Sequence, residues 1–224
     1  MIGIVVAMSR EAELIKNQME SISSESHAGM LFTCGSLAGR EVVLAQSGIG
    51  KVCAAVGISE MISRYNPSHI INSGVAGGLS DTLRVMDIVA GSQTTYHDTW
   101  CGEGNAWGQV QGYPAKYEAD EELLNIATTL PGVKCGLICS GDRFITSAEE
   151  LAPIKEAFAE VLAVDMESNA MAQVCYMYGV KFLSLRIISD IPGSENHNEL
   201  YEDFWATAPE HTFAAVKEII KKIA

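Results

Sequence analysis

The sequence lacks the short motifs that bind nucleotide cofactors or metal ions. Its glycine segments SGIGK (residues 47–51) and GVAGG (residues 74–78) match neither the GxGxxG fingerprint nor the GxxxxGK[ST] phosphate loop. Its six cysteines include no CxxC pair, and its five histidines are scattered. We therefore expect no metal and no cofactor, and reduced, mostly buried thiols in a cytoplasmic protein.

Positive charge is also scarce, since 15 Lys and Arg stand against 28 Asp and Glu, a net charge of −13. Such a surface repels phosphate backbones and anionic membranes, so we expect neither nucleic acid nor membrane as a partner. The apolar run at residues 1–8 has no basic segment before it, and Arg10 and Glu11 follow directly. This pattern predicts neither a signal peptide nor a membrane span.

What the sequence does contain is an alternation of short apolar runs with amphipathic stretches, at 48% hydrophobic residues. The alternation predicts one α/β domain over residues 1–224, with a central mixed, mostly parallel twisted sheet and helices on both faces. The predicted strands are Ile2–Met8, Met30–Cys34, Val42–Gln46, His69–Ser73, Ile88–Tyr96, Val133–Cys139, Val161–Val164 and Phe182–Ile188. The predicted helices are Arg10–Met19, Lys51–Tyr65, Asp120–Thr129, Ala148–Phe158, Ser168–Met177 and Tyr201–Ile223.

One segment breaks this alternation. Tyr96–Tyr113, YHDTWCGEGNAWGQVQGY, has four glycines and two tryptophans without a clear period. Such a segment is either a binding or interface loop or an Ω-loop folded over the core, and the sequence alone leaves both open. The loop PGSENHN at Pro192–Asn198 has the composition of a mobile lid.

Acidic residues recur where predicted strands end, which is where open α/β sheets bind ligands. They are Glu11, Asp142, Asp165, Glu167 and Asp190. Each also has an ordinary structural explanation, because an acid in a first helical turn suits the helix dipole and an aspartate often caps a helix. The set is more informative than any member, and Glu167, between an apolar strand and an apolar helix, needs a partner.

The chain resembles the 5′-methylthioadenosine/S-adenosylhomocysteine nucleosidases of the purine nucleoside phosphorylase and uridine phosphorylase superfamily. The segments that carry the resemblance occur in family order along nearly the whole chain. They are IGIVVAMSREAE (2–13), QSGIGKVCAA (46–55), INSGVAGGL (71–79), YHD (96–98), SGDRFI (140–145), VDMES (164–168) and RIISD (186–190). The resemblance implies a nucleoside phosphorylase-like fold, a purine nucleoside as small-molecule partner, and a homodimer.

By this resemblance, Glu11 would deprotonate the attacking water and Asp190 would protonate purine N7, with Ser189 orienting it. Glu167 would bind the ribose hydroxyls, which answers the question of its partner. The other substrate-binding positions implied are Met166, Phe144, Ile145, Arg186, Ile49, Val75, Met8 and Tyr201. Breaking an N-glycosidic bond builds positive charge on the sugar and negative charge on the base. Two carboxyl groups in opposite protonation states suit that reaction, so we expect a raised pKa for Asp190 and an ionised Glu11.

The chain departs from the common family pattern in a few places. It reads AMSRE where AMEEE is usual and VDME where VEME is usual, and neither change removes a catalytic acid. Val75 stands where many relatives carry a serine, and TWCGEGNAWGQ replaces a segment rich in Phe, Gly and Tyr. The phosphate-binding arginines of related phosphorylases have no counterpart here other than Arg10, which is a weak substitute, and this favours water as nucleophile. The alternatives are another nucleoside-cleaving enzyme of this fold, namely a phosphorylase or a 6-amino-6-deoxyfutalosine nucleosidase, and a non-catalytic nucleoside sensor.

Overall fold

The computed structural model describes residues 1–194, 197–207 and 213–223. Within them the chain forms an α/β fold of ten strands and seven helices. The strands are β1 (Ile2–Val6), β2 (Glu20–His27), β3 (Met30–Leu37), β4 (Arg40–Gln46), β5 (His69–Gly78), β6 (Ile88–Tyr96), β7 (Tyr117–Glu118), β8 (Val133–Ser140), β9 (Val161–Asp165) and β10 (Lys181–Asp190). The helices are α1 (Ser9–Lys16), α2 (Lys51–Tyr65), α3 (Glu121–Thr128), α4 (Ala148–Ala157), α5 (Ser168–Tyr178), α6 (His197–Thr207) and α7 (Ala214–Lys222).

The strands form one mixed sheet in the order β10-β6-β8-β9-β5-β1-β4-β3-β2, and β7 pairs with β6. Strands β1, β4, β5 and β10 are parallel to one another, and β6, β8 and β9 form a second parallel set that runs the opposite way. Because β10 pairs with β5 as well as with β6, five of the strands close into a ring.

The two parallel sets meet at their carboxyl ends. Strands β5 and β9 are antiparallel, but their pairing is limited to Gly77 with Val164 and Gly78 with Ala163. These residues lie at or near the end of each strand, so the segments that follow β9 and β8 come close to those that follow β1, β5 and β10. This overlap brings the strand-end acids to one place.

The hydrophobic core lies on both faces of the sheet, as predicted. Along β1, Ile4 and Val6 pack into a cluster with α3 and α7, and Val5 packs into another with α2 and α5. This alternation follows from the two-residue period of a strand. Helix α5 ends at Gly179, whose φ of 68° lies in the left-handed region that glycine tolerates.

Several predicted boundaries were wrong. The single helix predicted at Tyr201–Ile223 is two helices, α6 and α7, and the sequence has Pro209 between them, which cannot donate a helical hydrogen bond. Strand β5 continues through the glycine segment to Gly78 instead of ending at Ser73. Strand β2 was not predicted, because every one of its residues is exposed and no apolar alternation marks it.

The six cysteines are all free, but the expectation that most are buried was wrong. Cys139 and Cys175 are buried, whereas Cys53, Cys101 and Cys135 are exposed. Cys53 lies on the outward face of α2, so its apolar helical context did not imply burial. No helix in the described part of the chain has the length and apolarity needed to cross a membrane. Residues 195–196 of the predicted lid lie outside the described residues.

Candidate active site

A cavity of about 380 Å³ opens where the carboxyl ends of the strands converge. Its lining consists of Ala7, Met8, Glu11, Ile49, Val75, Ala76, Gly77, Arg143, Phe144, Ile145, Val164, Asp165, Met166, Glu167, Ser189, Asp190 and Tyr201. This wall is mostly apolar, with acidic side chains at separate positions, as is common in pockets for small ligands. Eleven of the twelve predicted site residues belong to it, and the exception is Arg186.

Glu11 enters the cavity from the first turn of α1. Its Oε2 accepts hydrogen bonds from the backbone N–H groups of Ala7 and Met8, at 3.0 and 2.9 Å. Its Oε1 accepts one from Val75 N on β5, at 3.1 Å. The carboxyl is 1% exposed, and this burial raises its pKa, against the opposing effect of the three N–H donors and Arg186. Glu11 is thus both a helix-start acid and a fixed, basic carboxylate facing the cavity.

Asp190 enters from the end of β10, across the cavity wall formed by β5. The pairing of β10 with β5 shifts between Ile188 and Asp190, so that Ser189 is an extra residue. Such irregularities redirect side chains beside binding sites. Ser189 Oγ donates a hydrogen bond to Asp190 Oδ1 at 2.5 Å, and both residues are 1% exposed. The Asp190 carboxyl is therefore buried and held in one orientation.

Glu167 is the residue that precedes α5. Its Oε1 accepts a hydrogen bond from Gly50 N at 2.9 Å, across from the turn that starts α2. Burial, together with the nearby Asp165 carboxylate, raises the pKa of Glu167 to about 7, although Arg186 and Gly50 act in the other direction. Its second oxygen lies 4.0 Å from Arg186 Nη2. Glu167 is therefore a buried acceptor that faces the cavity.

Arg186 lies behind the wall and not in it. It is 1% exposed, and its Nε donates to Asp165 Oδ2 at 2.6 Å and to Ser168 Oγ at 3.1 Å. Its Nη2 donates to Asn72 Oδ1 and, at 3.0 Å, to Ser168 Oγ. The guanidinium therefore supports the cavity from behind by holding Asp165, while its charge acts on Glu11 and Glu167.

Close packing around Arg186 depends on Gly74 in β5. A Cβ atom at that position would overlap Arg186 Nη1 and would lie 2.8 Å from Glu11 Oε1. Gly77 is similar, since a Cβ there would lie 2.6 Å from Pro192 Cγ and 3.3 Å from Asp190 Oδ2. Glycine inside a strand often marks such a close approach.

Apolar and aromatic side chains form the rest of the wall. Phe144 and Tyr201 make an edge-to-face contact with ring centroids 5.6 Å apart, and the Tyr201 hydroxyl lies 3.8 Å from Met8 Sδ. Phe144 is 51% exposed and Ile49 55% exposed, so both lie at the mouth, whereas Ile145 is buried. A planar ligand could stack on Phe144 while Ile145 contacts its edge.

A salt bridge joins the loops that carry these residues. Lys51 Nζ lies 2.9 Å from both carboxylate oxygens of Asp98, and Lys51 N donates to Asp142 Oδ1 at 2.8 Å. Asp142 N in turn donates to Asp98 Oδ2 at 2.9 Å. These contacts link the loop with Ile49 and Gly50 to the loop with Phe144.

The supporting residues Asp165, Asn72 and Ser168 had no role assigned from the sequence. Asp165 was recognised only as one of the acids at strand ends. A usable signal was Arg186 itself, because an arginine within an apolar strand needs a buried acid as partner.

One group of potential metal ligands occurs elsewhere in the described residues, at His69, Asp120 and Glu122. Lys181 Nζ lies 2.6 Å from Glu122 Oε2, so a lysine already supplies positive charge there. This group is not part of the cavity.

The geometry places two buried carboxyl groups, Glu11 and Asp190, on one cavity, with Glu167 as a third acid. One acid can accept a proton while another donates one, and the third can accept hydrogen bonds from hydroxyl groups. This arrangement suits acid–base cleavage of a bond in a small molecule that carries hydroxyl groups.

Comparisons with known proteins agree with this interpretation. A family model described as the Phosphorylase superfamily matches residues 1–221. The chain is 40% identical over 228 residues to the 5′-methylthioadenosine/S-adenosylhomocysteine nucleosidase of Haemophilus influenzae (strain PittEE), and 36% identical over 229 residues to that of Bacillus subtilis (strain 168). Each match covers 99% of both sequences. The nucleosidase of the same name from Neisseria meningitidis, in complex with methylthio-immucillin-A, has a TM-score of 0.94 at 38% identity, covering 99% of each chain.

Proposed function

Because the chain belongs to the Phosphorylase superfamily and is 36–40% identical to nucleosidases along 99% of their length, we propose that it hydrolyses 5′-methylthioadenosine and S-adenosylhomocysteine. The reaction breaks the N-glycosidic bond and releases adenine and the thio-ribose. The observation that carries this proposal is the presence of Glu11, Asp190 and Glu167 on one cavity of about 380 Å³.

The two catalytic acids have opposite tasks. Asp190 gives a proton to purine N7, so that the base leaves as a neutral molecule, and Ser189 holds the donating carboxyl in place. Glu11 takes a proton from water as the water oxygen bonds to C1′ of the sugar. Three backbone N–H donors fix the Glu11 carboxylate, and its raised pKa makes it a stronger base than an exposed glutamate.

The sugar and the base have separate supports. Glu167, with Met166 beside it, accepts hydrogen bonds from the ribose hydroxyls, and its negative charge also stabilises the cationic sugar of the transition state. Phe144 stacks on adenine, and Ile145 contacts its edge. Arg186 keeps Asp165 paired and moderates the basicity of Glu11 and Glu167 from behind the wall.

The nature of the nucleophile can be tested with one assay. Purified protein is incubated with 5′-methylthioadenosine with and without phosphate, and the sugar product is identified. We expect free methylthioribose and adenine, with no requirement for phosphate. Formation of a pentose 1-phosphate would identify a phosphorylase instead, and tight binding without release of adenine would identify a sensor.

We further propose that the protein is a homodimer. Val52 and Val56, one helical turn apart on α2, are 74% and 44% exposed, and Tyr176 and Met177 at the end of α5 are exposed as well. Trp100 and Trp107 in the irregular segment stack at 6.4 Å and are both exposed. Exposed apolar groups of this size are typical of association surfaces. Analytical ultracentrifugation of the wild type and of Val52→Glu tests the proposal, since the variant should dissociate.

Residues 1–224 are proposed to form a single domain, supported by one sheet that joins strands from both ends of the chain. A cytoplasmic location is supported by six free thiols, which a reducing compartment preserves.

A further inference from the structure

A second cavity, of about 470 Å³, adjoins the first and shares four lining residues with it. The shared residues are Ala7, Met8, Ile49 and Tyr201. The second cavity adds Ser9, Arg10, Gln46, Gly48 and Trp205. Its residues come from the start of α1, the end of β4 with the loop that follows it, and α6, and Asp190 is not among them.

Arg10 gives this cavity its charge. It is the one charged residue in the lining, and within the described residues it forms no ion pair. Its guanidinium carbon lies 5.8 Å from the centre of the Trp205 ring, which holds the guanidinium by a cation–π contact. The planar guanidinium keeps its donors available in this position, and their geometry matches a carboxylate.

The local charge is unusual for this protein. The chain as a whole has a net charge of −13, and the first cavity contains several buried acids. An anionic ligand group is therefore repelled at most places on the surface, and at this opening it meets a cation instead. The second cavity is therefore suited to bind an anionic group of a ligand.

The position of a bound nucleoside connects the two cavities. If the base lies at Asp190 and the ribose at Glu167, the 5′ end of the nucleoside is left to extend past Met8, Ile49 and Tyr201. These side chains are apolar or aromatic, which suits the sulfur of a thioether. A longer 5′ substituent continues from there into the second cavity.

We propose that Arg10 is a specificity-determining residue that binds a carboxylate at the end of the 5′ substituent. The inference rests on the proposed function, and it concerns which substrates are preferred. S-adenosylhomocysteine has such a carboxylate, whereas 5′-methylthioadenosine ends in a methyl group. Arg10 therefore favours the first class of nucleoside over the second.

The test is the ratio of kcat/KM for S-adenosylhomocysteine to kcat/KM for 5′-methylthioadenosine. In Arg10→Gln this ratio should fall about threefold to tenfold, as expected for one partly exposed charge-assisted contact. Arg10→Glu should lower it further, and Arg10→Lys should retain part of the preference because it keeps the charge without the fork. An adenosyl thioether of the same chain length without the carboxylate should show no preference that depends on Arg10.

Lys16 provides the matched control, because it is a cation on the same helix that lines a different, third cavity. Lys16→Gln should leave the ratio unchanged. An unchanged ratio in Arg10→Gln, or an equal loss with both substrates, would overturn the proposal while leaving the hydrolytic function intact.

Binding gives an independent measurement. The affinity of Asp190→Asn is measured for both nucleosides, with and without the Arg10→Gln change. Arg10→Gln should lower the preference for S-adenosylhomocysteine over 5′-methylthioadenosine in binding as it does in the kinetics, and an unchanged affinity ratio would overturn the role of Arg10. Failure of the wild type to hydrolyse either nucleoside would instead refute the proposed function, so the two failures are distinguishable.

Discussion

Arg186 and Asp165 form an ion pair that is closed to solvent, with Nε 2.6 Å from Oδ2 and both side chains 1% exposed. Asp165 lines the cavity and Arg186 lies directly behind it, and three further groups, Asn72, Ser168 and Ser140, complete the hydrogen bonds of the pair. Removing one partner of a buried ion pair strongly destabilises a protein, because the other charge stays buried and unpaired. The intact pair adds little to the free energy of unfolding, because burying both charges costs desolvation energy. The pair therefore matters most as a fixed element of the site.

Replacement of Arg186 should destabilise the fold and also slow the reaction. We expect Arg186→Met to lower the free energy of unfolding by about 3–5 kcal/mol, because Asp165 remains buried without its cation. Adding Asp165→Asn to this variant should recover part of the loss. Urea unfolding measures both. The control is Arg64→Met, which removes a largely exposed ion pair with Glu25 and should cost less than about 1 kcal/mol. Equal losses in the two single variants would contradict this account.

The general-acid role of Asp190 predicts a loss of rate without a loss of fold. Asp190→Asn should lower kcat by about 10²-fold to 10⁴-fold, because the amide cannot deliver a proton to the leaving base. The thermal midpoint should change little, since the side chain keeps its shape. Asp81→Asn, which replaces an exposed aspartate outside the cavity, is the control. Near-normal turnover of Asp190→Asn would remove Asp190 from the mechanism.

Activity should require glycine at position 74, because there is no room for a side chain there. In Gly74→Ala the new methyl group would overlap Arg186 Nη1 and Glu11 Oε1, so one of them must move. We expect kcat/KM to fall at least tenfold, with a stability loss of about 1–3 kcal/mol from overpacking.

Gly136→Ala separates these two effects. At Gly136 the three nearest atoms to a new methyl group all belong to the Leu162 side chain, the closest at 2.5 Å. This variant should lose stability but keep its activity in steady-state assays. If both variants lose activity in proportion to their stability, the role assigned to Gly74 is incorrect.

Much of the fold was predictable because its strands and helices have a clear apolar period. The bounds predicted for α2 and β6 agree with the structure, and α2 ends at Asn66, which takes the left-handed conformation just before Pro67. Strand β2 could not be predicted in the same way, because it depends on backbone pairing with β3 and buries none of its side chains.

The candidate site, like the fold, could be predicted in part. The acids at strand ends could be read from the sequence, but their convergence depends on the short overlap of β5 and β9, which no local pattern encodes. The extension of β5 through Gly74–Gly78 was missed because glycines there indicate close approach as readily as a turn. The position of Arg186 behind the wall follows only from the tertiary structure.

The raised pKa of Glu167 predicts how activity depends on pH. Burial and the Asp165 carboxylate raise this pKa to about 7, so the free enzyme holds Glu167 protonated below that pH. A protonated Glu167 carries no negative charge to stabilise the cationic sugar. We therefore expect kcat/KM for 5′-methylthioadenosine to rise with pH up to about 7, well above the range of an ordinary glutamate.

The Glu167→Gln variant tests whether Glu167 causes this rise of kcat/KM with pH, which forms the acidic limb of the pH profile. The variant should have a much lower kcat/KM, and the limb near pH 7 should disappear, because the amide does not titrate. A limb that survives would belong to Glu11, whose pKa is also raised by burial, and a limb near pH 4.5 would contradict the environment described for Glu167.

The pH dependence of stability is a second measurement of the same pKa, and the direction of its change is fixed. A carboxyl whose pKa is higher in the folded state contributes stability below its unfolded pKa of 4.5, and this contribution is lost as pH rises through about 7. The thermal midpoint should therefore fall less between pH 5 and pH 8 in Glu167→Gln than in the wild type.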